Sequence, residues 1–241
     1  MKMLALTTRN IKEVFRDPVS ILLGVFMPLL FLILFSSLNK SIQIDIFNPQ
    51  YLTPGIIVFS FAFLIMFSAM LLANDKKTAF LTRLFAAPLR PSDFILSYML
   101  PFIPLAMVQV IICMVCGTIL GAGFQNLFIS FLMFMVMAIL CISIGVLLGA
   151  VFNVNQASGI GSVIITIISI FSGAWMDLKM LGGVFKGIGY ALPFAHGIDV
   201  LKALLAGKNY SAVVIDTYWI YGYTAVFFVL AVLAFWKKMR N

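Results

Sequence analysis

The sequence predicts an all-α polytopic membrane protein with six transmembrane helices. None of the residues from Phe94 to Met176 is Asp, Glu, Lys or Arg, and no water-soluble domain leaves so long a stretch without a charged face. One helical crossing needs about 20 apolar residues, so this stretch alone holds roughly three crossings. The whole chain is 63% hydrophobic and 10% charged, a composition typical of polytopic membrane proteins.

The net charge and the cysteines do not indicate a nucleic-acid-binding or a disulfide-rich protein. The net charge is +8, but Lys and Arg collect in the cytoplasmic loops of membrane proteins. The first apolar run is too long for the core of a cleavable signal peptide, so none is expected. Cys113, Cys116 and Cys141 lie inside apolar runs, which argues against a disulfide framework. Cys113-x-x-Cys116 lacks the second ligand pair of a zinc site.

Residues 1–17 predict an amphipathic helix that lies flat on the membrane surface. Pro18 ends this helix because proline interrupts the backbone hydrogen bonds. Its apolar face is predicted to hold Leu4, Thr8, Ile11, Val14 and Phe15, and its charged face Lys2, Arg9, Lys12, Glu13 and Arg16.

Six apolar runs long enough to cross a bilayer follow, within a single membrane domain that covers residues 1–241. Pro28 is expected to kink the first of them, which transmembrane helices tolerate. The predicted spans are residues 20–38, 52–73, 94–121, 127–152, 157–176 and 217–236.

Three connections between these spans are longer than a turn. Residues 39–51 form a polar loop between spans 1 and 2. Residues 74–93 are rich in charge and separate spans 2 and 3. Residues 177–216 contain charges, glycines and apolar runs too short to cross, which predicts re-entrant or interfacial helices. Eleven of the 16 basic residues fall at the two termini and in residues 74–93, on one side of the six-span topology. The positive-inside rule places that side in the cytoplasm and residues 177–216 outside.

The predicted spans lack the groups that most self-sufficient transporters use. Ion-coupled carriers place ionisable residues at membrane depth, whereas Gln109 and scattered Ser and Thr are the polar groups here. We expect Gln109 to bridge helices. The sequence has no phosphate-binding loop of the G-x-x-x-x-G-K-[ST] type and no constellation of His, Asp or Glu at depth for an embedded enzyme. We therefore predict no catalytic, metal or cofactor site in this chain.

Three smaller features have an ordinary structural interpretation. Gly117-x-x-x-Gly121 and Gly145-x-x-x-Gly149 each place two glycines on one helical face, which favours close helix packing within the subunit or, alternatively, at a subunit interface. His196 is the single histidine and cannot build a metal site alone, so we expect a helix cap or a headgroup contact.

Three stretches of this sequence resemble the ABC-2 type transporter permeases, the transmembrane subunits of type V ABC exporters. Arg9–Pro18 is similar to the family's N-terminal "R…K…RDP" connecting helix. Thr82–Arg90 resembles the "ERLLATPLSR" stretch between spans 2 and 3, and Tyr190–Lys202 resembles the "NPLTHAVDALR" element before the last span. With the span count, the likeness covers essentially the whole chain.

The lead into the second motif departs from the family. Many members have an acidic "REKE-x-GT-x-E" sequence there, of which Asp75 keeps one acid. Ala79, Phe80 and Thr82 replace the usual Gly, Thr and Glu. A salt bridge that depends on that glutamate is therefore not expected here.

The resemblance implies a transporter of two permease subunits and two ATP-binding subunits. The permease would pair with a copy of itself or with a related chain in a bacterial plasma membrane, and ATP and Mg²⁺ would bind in the partner ATPase. Residues 74–93 would form a cytoplasmic coupling helix seated on that ATPase, and residues 1–17 the connecting helix. The coupling interface is expected to comprise Asp75, Lys76, Lys77, Leu81, Arg83, Leu84, Phe85, Pro88 and Arg90, and the connecting helix to act through Arg9, Lys12, Glu13, Phe15 and Arg16.

The apolar spans, rich in Phe and Met, suit an amphiphilic cargo such as a drug, an antimicrobial peptide or a lipid-like molecule. The residues that would bind it are not identified by the sequence. The alternative function is a self-sufficient channel or secondary carrier that needs no ATPase partner. Flux through the purified chain alone would favour that alternative.

Overall fold

The protein is described from a computed structural model that covers residues 2–42, 47–77, 90–175 and 177–240. Every regular element in these ranges is helical, which confirms the predicted all-α fold. Six helices or helix pairs are long and apolar enough to cross a membrane, as predicted. These candidate spans are Pro18–Asn39, Pro49–Lys77, Pro91–Ile119, Leu127–Val151, Val154–Phe171 and Tyr210–Lys237, called spans 1 to 6 below.

Helix α1 (Lys2–Arg16) precedes span 1, and the extended backbone of Asp17 (φ −86°, ψ 101°) separates the two at a junction that we call the elbow. Asp17 caps the short helix α2 (Pro18–Ile21), because one of its carboxylate oxygens accepts a hydrogen bond from the Val19 backbone N–H at 3.1 Å. The other oxygen accepts from the Ser20 hydroxyl at 2.5 Å. Pro18 occupies the first position of α2, where proline is well tolerated, so the elbow lies where the sequence predicts the end of the surface helix.

Span 1 continues through a π-helical turn, Leu22–Phe26, into α3 (Met27–Ile42). Pro28 has no N–H to offer the carbonyl oxygen of Gly24 four residues earlier. The Gln109 side chain from span 3 donates to that oxygen instead, with Nε2 at 2.7 Å. A π-helical turn thus precedes Pro28, and the kink expected there remains a prediction. The prediction that Gln109 bridges two helices is confirmed.

Span 2, helix α4 (Pro49–Lys77), is the centre of the bundle. Its most apolar window is 83% buried, against 17% for the corresponding windows of spans 5 and 6. Span 4 packs directly on span 2, because two glycines of span 4 leave room for the backbone of span 2. A Cβ atom on Gly145 would lie 2.3 Å from the Ile65 carbonyl oxygen, and one on Gly149 would lie 2.6 Å from that of Ala69. This glycine pair therefore serves close packing within the subunit, as expected.

The other glycine pair does not form a packing face. Gly117 packs against Thr53, but Gly121 has a φ of 103° and follows the end of the helix. Span 3 consists of α5 (Pro91–Met99) and α6 (Phe102–Ile119), separated at Leu100 and Pro101. Span 4 is α7 (Leu127–Val151), and span 5 is α8 (Val154–Phe171).

Between spans 5 and 6 the chain forms three helices, α9 (Leu178–Leu181), α10 (Gly183–Ala191) and α11 (Pro193–Leu205). The last two meet at an angle of 89°, which is the geometry of a broken span or of a re-entrant hairpin. A 3₁₀ turn then leads into α12 (Val214–Arg240). The re-entrant placement of residues 177–216 remains a prediction, and the bend is compatible with it.

The two ends of the bundle are distinct. The N-terminal face comprises α1, the end of span 2, the start of span 3 and the last turns of span 6, where Phe235 stacks on Phe94 at 3.9 Å between ring centroids. The opposite face comprises the start of span 2, the turn before span 4, and the ends of α11. There Gln50 donates to the Leu205 carbonyl oxygen at 3.0 Å, and Asn126 donates to that of Lys208 at 3.1 Å. The start of α1 and the end of α12 therefore lie on the N-terminal face.

Candidate coupling site

The predicted coupling residues flank a segment at the N-terminal face. Asp75, Lys76 and Lys77 form the last turn of α4, and Arg90 precedes the first turn of α5. The remaining coupling residues of the sequence prediction, Leu81, Arg83, Leu84, Phe85 and Pro88, lie outside the described residues.

Asp75 is the central group of this site. Its side chain is almost fully buried, although its neighbour Asn74 is exposed. The Arg9 guanidinium binds both carboxylate oxygens, with Nη2 at 2.9 Å from Oδ1 and Nη1 in contact with Oδ2. The buried Tyr98 hydroxyl donates to Oδ2 at 2.5 Å. This bidentate geometry is the strong form of an Arg–carboxylate pair.

The same pairing perturbs the proton affinity of Arg9. Burial alone lowers the pKa of Arg9, but the hydrogen bond from its guanidinium to Asp75 and the attraction between the two charges outweigh that effect. The net result is a raised pKa, so Arg9 stays charged. The pair links α1 to span 2 by two hydrogen bonds, and Tyr98 extends the link to span 3.

A second polar contact fixes α1 to span 3. The Asn10 side chain is fully buried and donates to the Ser97 carbonyl oxygen at 3.1 Å. Leu6 and Val14 lie on the same side of α1 and belong to the main hydrophobic core. Helix α1 is therefore anchored to both elements that border residues 78–89.

The buried side of α1 differs from the predicted apolar face. It comprises Leu6, Thr7, Asn10 and Val14, whereas Leu4 and Phe15 are 64% and 44% exposed. Exposure of Leu4 and Phe15 is compatible with contact to lipid, since amphipathic surface helices bury such residues at the headgroup boundary. The inward side holds polar groups because their partners, Asp75 and the Ser97 backbone, are also polar.

Glu13 extends the charged cluster towards the surface. It lies 2.6 Å from Arg9 one helical turn away, and both side chains are more than a third exposed, so this pair adds little stability. Partial burial raises the pKa of Glu13, with Arg9 acting in the opposite direction and Asp75 adding to the rise. Arg9 therefore contacts two carboxylates, and only that of Asp75 is buried.

Lys76 holds span 4 to span 2. Its Nζ donates to the carbonyl oxygens of Gly149, Ala150 and Phe152 at 2.7, 2.8 and 2.8 Å. These carbonyls belong to the C-terminal end of α7, which has no intrahelical donors for them and which carries partial negative charge. The lysine thus satisfies three acceptors and connects the end of span 2 to the end of span 4.

The other predicted site residues are exposed at the N-terminal face. Four of them are charged, and these charges are exposed, in contrast to those of Asp75 and Lys76, which bind partners within the chain. These exposed residues are Lys12, Phe15, Arg16, Lys77 and Arg90.

The opposite face contains a polar cluster that the sequence did not predict. His196 Nδ1 lies 2.6 Å from Asp216 Oδ1, and its Nε2 lies 3.0 Å from the Tyr190 carbonyl oxygen. The ring stacks on Trp219, with centroids 5.6 Å apart. The expected helix cap or headgroup contact is therefore replaced by contacts within the chain. Periodicity could not find this cluster, because its members lie on three different helices.

Among the described residues, no group of three His, Cys, Asp or Glu side chains could hold a metal ion. The Arg9–Asp75–Tyr98 contacts can instead hold α1, span 2 and span 3 in fixed relative positions.

Known proteins resemble this chain over most of its length. The family described as "ABC-2 type transporter" matches residues 1–205. A Cyanophora paradoxa protein named "Putative transport permease ycf38" is 33% identical over 139 residues, which cover 54% of this chain and 48% of that relative. A Pyropia yezoensis protein of the same name is 33% identical over 123 residues, covering 48% of this chain and 42% of that relative. The chain thus spans about half the length of the curated relatives it matches.

Proposed function

This chain belongs to the ABC-2 type transporter family, as its motifs predicted, and from that premise we propose that it is the permease subunit of an ATP-driven exporter. Members of this family are multi-pass transport subunits without catalytic activity of their own, and they generally work with an ATP-binding subunit. In our proposal the chain forms the membrane pathway and receives energy from a separate ATPase that binds ATP and Mg²⁺.

The observation that best supports this proposal is the buried junction around Asp75. It joins α1 to the end of span 2 and the start of span 3, the two elements that border residues 78–89 in the sequence. An ATPase that docks on residues 78–89 would move this junction as one body, and Lys76 would pass the displacement to span 4. Such rigid-body motion is a common form of conformational switching.

The distribution of basic residues supports a cytoplasmic location of the N-terminal face. The exposed residues Lys12, Arg16, Lys77 and Arg90 lie on that face, and positive charge favours the cytoplasmic side. In a bacterial plasma membrane both termini would then be cytoplasmic and in reach of the ATPase. Two ATP-binding subunits and a second permease subunit would complete the transporter, which would export an amphiphilic cargo.

A direct experiment is purification of the tagged chain from its native membranes in mild detergent. We expect an ATP-binding polypeptide to co-purify and to hydrolyse ATP. The double substitution Leu81→Asp plus Leu84→Asp removes the expected apolar anchors and should abolish co-purification. The matched control is Met180→Asp plus Val184→Asp, two residues of the opposite face that are 73% and 74% exposed, which should leave co-purification intact.

Two results would contradict the proposal. One is the absence of any ATP-binding partner in the purified complex, and the other is equal partner recovery from the Leu81/Leu84 variant. Cargo flux into liposomes from the purified chain alone, without ATP, would favour the channel or carrier alternative instead.

A further inference from the structure

The single histidine of the chain lies where α10, α11 and α12 meet at the opposite face. His196 belongs to the start of α11, directly after the 89° bend that separates α11 from α10. Its side chain is only 10% exposed, and its ring contacts the end of α10 on one side and the start of α12 on the other. The charge of this ring therefore affects how the bend is held against span 6.

Both ring nitrogens lie against oxygen atoms that accept hydrogen bonds. Nε2 lies 3.0 Å from the Tyr190 carbonyl oxygen, which has no intrahelical donor because α10 ends at Ala191. Nδ1 lies 2.6 Å from a carboxylate oxygen of Asp216. A carbonyl oxygen and an ionised carboxylate cannot donate, and a neutral imidazole has one N–H group. Both hydrogen bonds can therefore form together when the ring carries two protons and a positive charge.

The surroundings of the ring favour that positive charge. The ring stacks on Trp219 with centroids 5.6 Å apart and planes 12° apart, and an aromatic face within about 6 Å attracts a cation. Asp177 and Asp199 are close enough to act electrostatically on Tyr190, as Asp216 does. The neighbourhood is thus rich in negative charge.

His196 is the group of this cluster that changes charge between pH 5 and 8. Helix α11 packs against α10 and spans 2, 4, 5 and 6. Spans 4 and 5 contain no charged residue, and the charges of span 2 lie at the N-terminal face. Asp, Lys and Tyr are residue types that titrate outside this range. Those on α10, on α11 and on the first turns of α12, besides Tyr190 and Asp216, are Lys186, Asp199, Lys202, Tyr218, Tyr221 and Tyr223.

Loss of one proton leaves the ring able to donate to only one of its two partners. The buried Tyr190 carbonyl oxygen keeps its hydrogen bond if the remaining proton is on Nε2. The lone pair on Nδ1 then faces the carboxylate of Asp216, which repels it. Asp216 is 37% exposed and can turn towards water, so the contact that breaks is the one to span 6. The Tyr223 hydroxyl still donates to the Ala191 carbonyl oxygen at 2.8 Å, so the part released is the start of span 6.

We propose that the contacts of His196 to Tyr190 and Asp216 form a pH-dependent latch between the bend and the start of span 6. The latch is closed while the ring is charged, at the lower pH, and opens when the ring becomes neutral. It responds to the pH on the side of the membrane at which the opposite face lies. The latch rests on no part of the proposed export function, since neither ATP nor a partner enters it.

The first test measures the protonation of the ring. Because the chain has one histidine, labelling with ¹⁵N-histidine gives NMR signals from this ring alone in the purified chain. Asp216→Asn keeps an acceptor oxygen but removes the charge, so the proton affinity of the ring should fall about tenfold. Asp177→Asn removes an exposed acid nearby and should change that affinity less than threefold. Equal effects of the two substitutions in folded protein would overturn the proposal.

The second test measures the release of span 6. Hydrogen exchange of backbone amides is followed by mass spectrometry at pH 6 and pH 8, with correction for the chemical exchange rate. We expect residues 210–217 to exchange at least threefold faster at pH 8. His196→Gln keeps a side-chain donor that does not titrate, so it should remove this pH dependence. The absence of pH dependence in the unmodified chain, or its persistence in His196→Gln, would overturn the latch.

Discussion

The two ends of the bundle hold their helices together by different means. At the N-terminal face, full charges bridge separate elements, with Arg9 on Asp75 and Lys76 on the end of α7. At the opposite face Asp216 contacts His196, Lys202 donates to the Gly173 carbonyl oxygen, and neutral amides such as Gln50 bind other carbonyls. Charge-assisted hydrogen bonds are roughly twice as strong as neutral ones. The contacts of Arg9 and Lys76, in which one side chain makes two or three such hydrogen bonds, lie on the face where we propose that an ATPase acts.

The largest stability effect is expected for Asp75→Asn. This change removes the buried one of the two carboxylates that Arg9 contacts and weakens the contact to Tyr98. Breaking a fully buried pair costs about 3–5 kcal/mol, but Arg9 is 37% exposed, so we expect a loss of about 2–3 kcal/mol because solvent screens its charge. Titration of the purified chain with a denaturing detergent measures this loss.

The matched control is Asp93→Asn, which removes an acid on the same face. Its effect should be within about 0.5 kcal/mol, as for most surface changes. Equal effects of the two substitutions would show that the buried pair does not stabilise the N-terminal face.

A smaller effect is expected for Lys76→Met. The change keeps the apolar stem and removes three hydrogen bonds to the C-terminal carbonyls of α7. We expect a loss of about 1–2 kcal/mol, because water reaches this helix end and solvates the carbonyls in part. The exposed neighbour Lys77 provides the control, since Lys77→Met should have almost no effect in the same titration. A larger loss of stability from Lys77→Met than from Lys76→Met would contradict the contribution that we assign to the Lys76 hydrogen bonds.

The smallest effect is expected at the opposite face, for His196→Phe. Phenylalanine preserves an aromatic ring beside Trp219 but loses the contacts to Asp216 and to the Tyr190 carbonyl. Asp216 is 37% exposed and can be solvated, so the loss should be about 1 kcal/mol. Tyr218→Phe, at a position 70% exposed, is the neutral comparison. If His196→Phe costs more stability than Asp75→Asn, the contacts at the opposite face are the stronger ones, which contradicts the comparison of the two faces.

Hydropathy was sufficient to predict the six spans. The bilayer core has no water to satisfy backbone polar groups, so each crossing segment here must be a long apolar helix. The ends of the spans were less predictable. Span 2 reaches Lys77 rather than residue 73, because the charges of Asp75 and Lys76 find partners within the chain and the helix can continue past the apolar run. The helix of span 5 ends at Phe171, although the apolar run that predicted this span continues to residue 176. Bends follow the helix over residues 172–175.

The candidate site was only partly predictable, because its contacts join residues of different helices. The sequence places Arg9 in the surface helix, but it assigns Asp75 to residues 74–93 and not to the end of α4. The pairing of Arg9 with Asp75 joins residues far apart in the chain. The polar inward side of α1 contradicts a simple amphipathic pattern, since Asn10 is buried by a backbone acceptor that periodicity cannot identify. Gln109 was predictable as a bridge, whereas its partner, the Gly24 carbonyl freed by Pro28, required the structure.

The central claim is that energy enters through the N-terminal face, and site-specific photo-cross-linking tests it most directly. A photoreactive amino acid is placed at Lys77 on that face or at Val184 on the opposite face, both of which are exposed. In native membranes, the account predicts a cross-link to an ATP-binding polypeptide from position 77 and none from position 184. A cross-link to that polypeptide from position 184 and not from position 77 would contradict it.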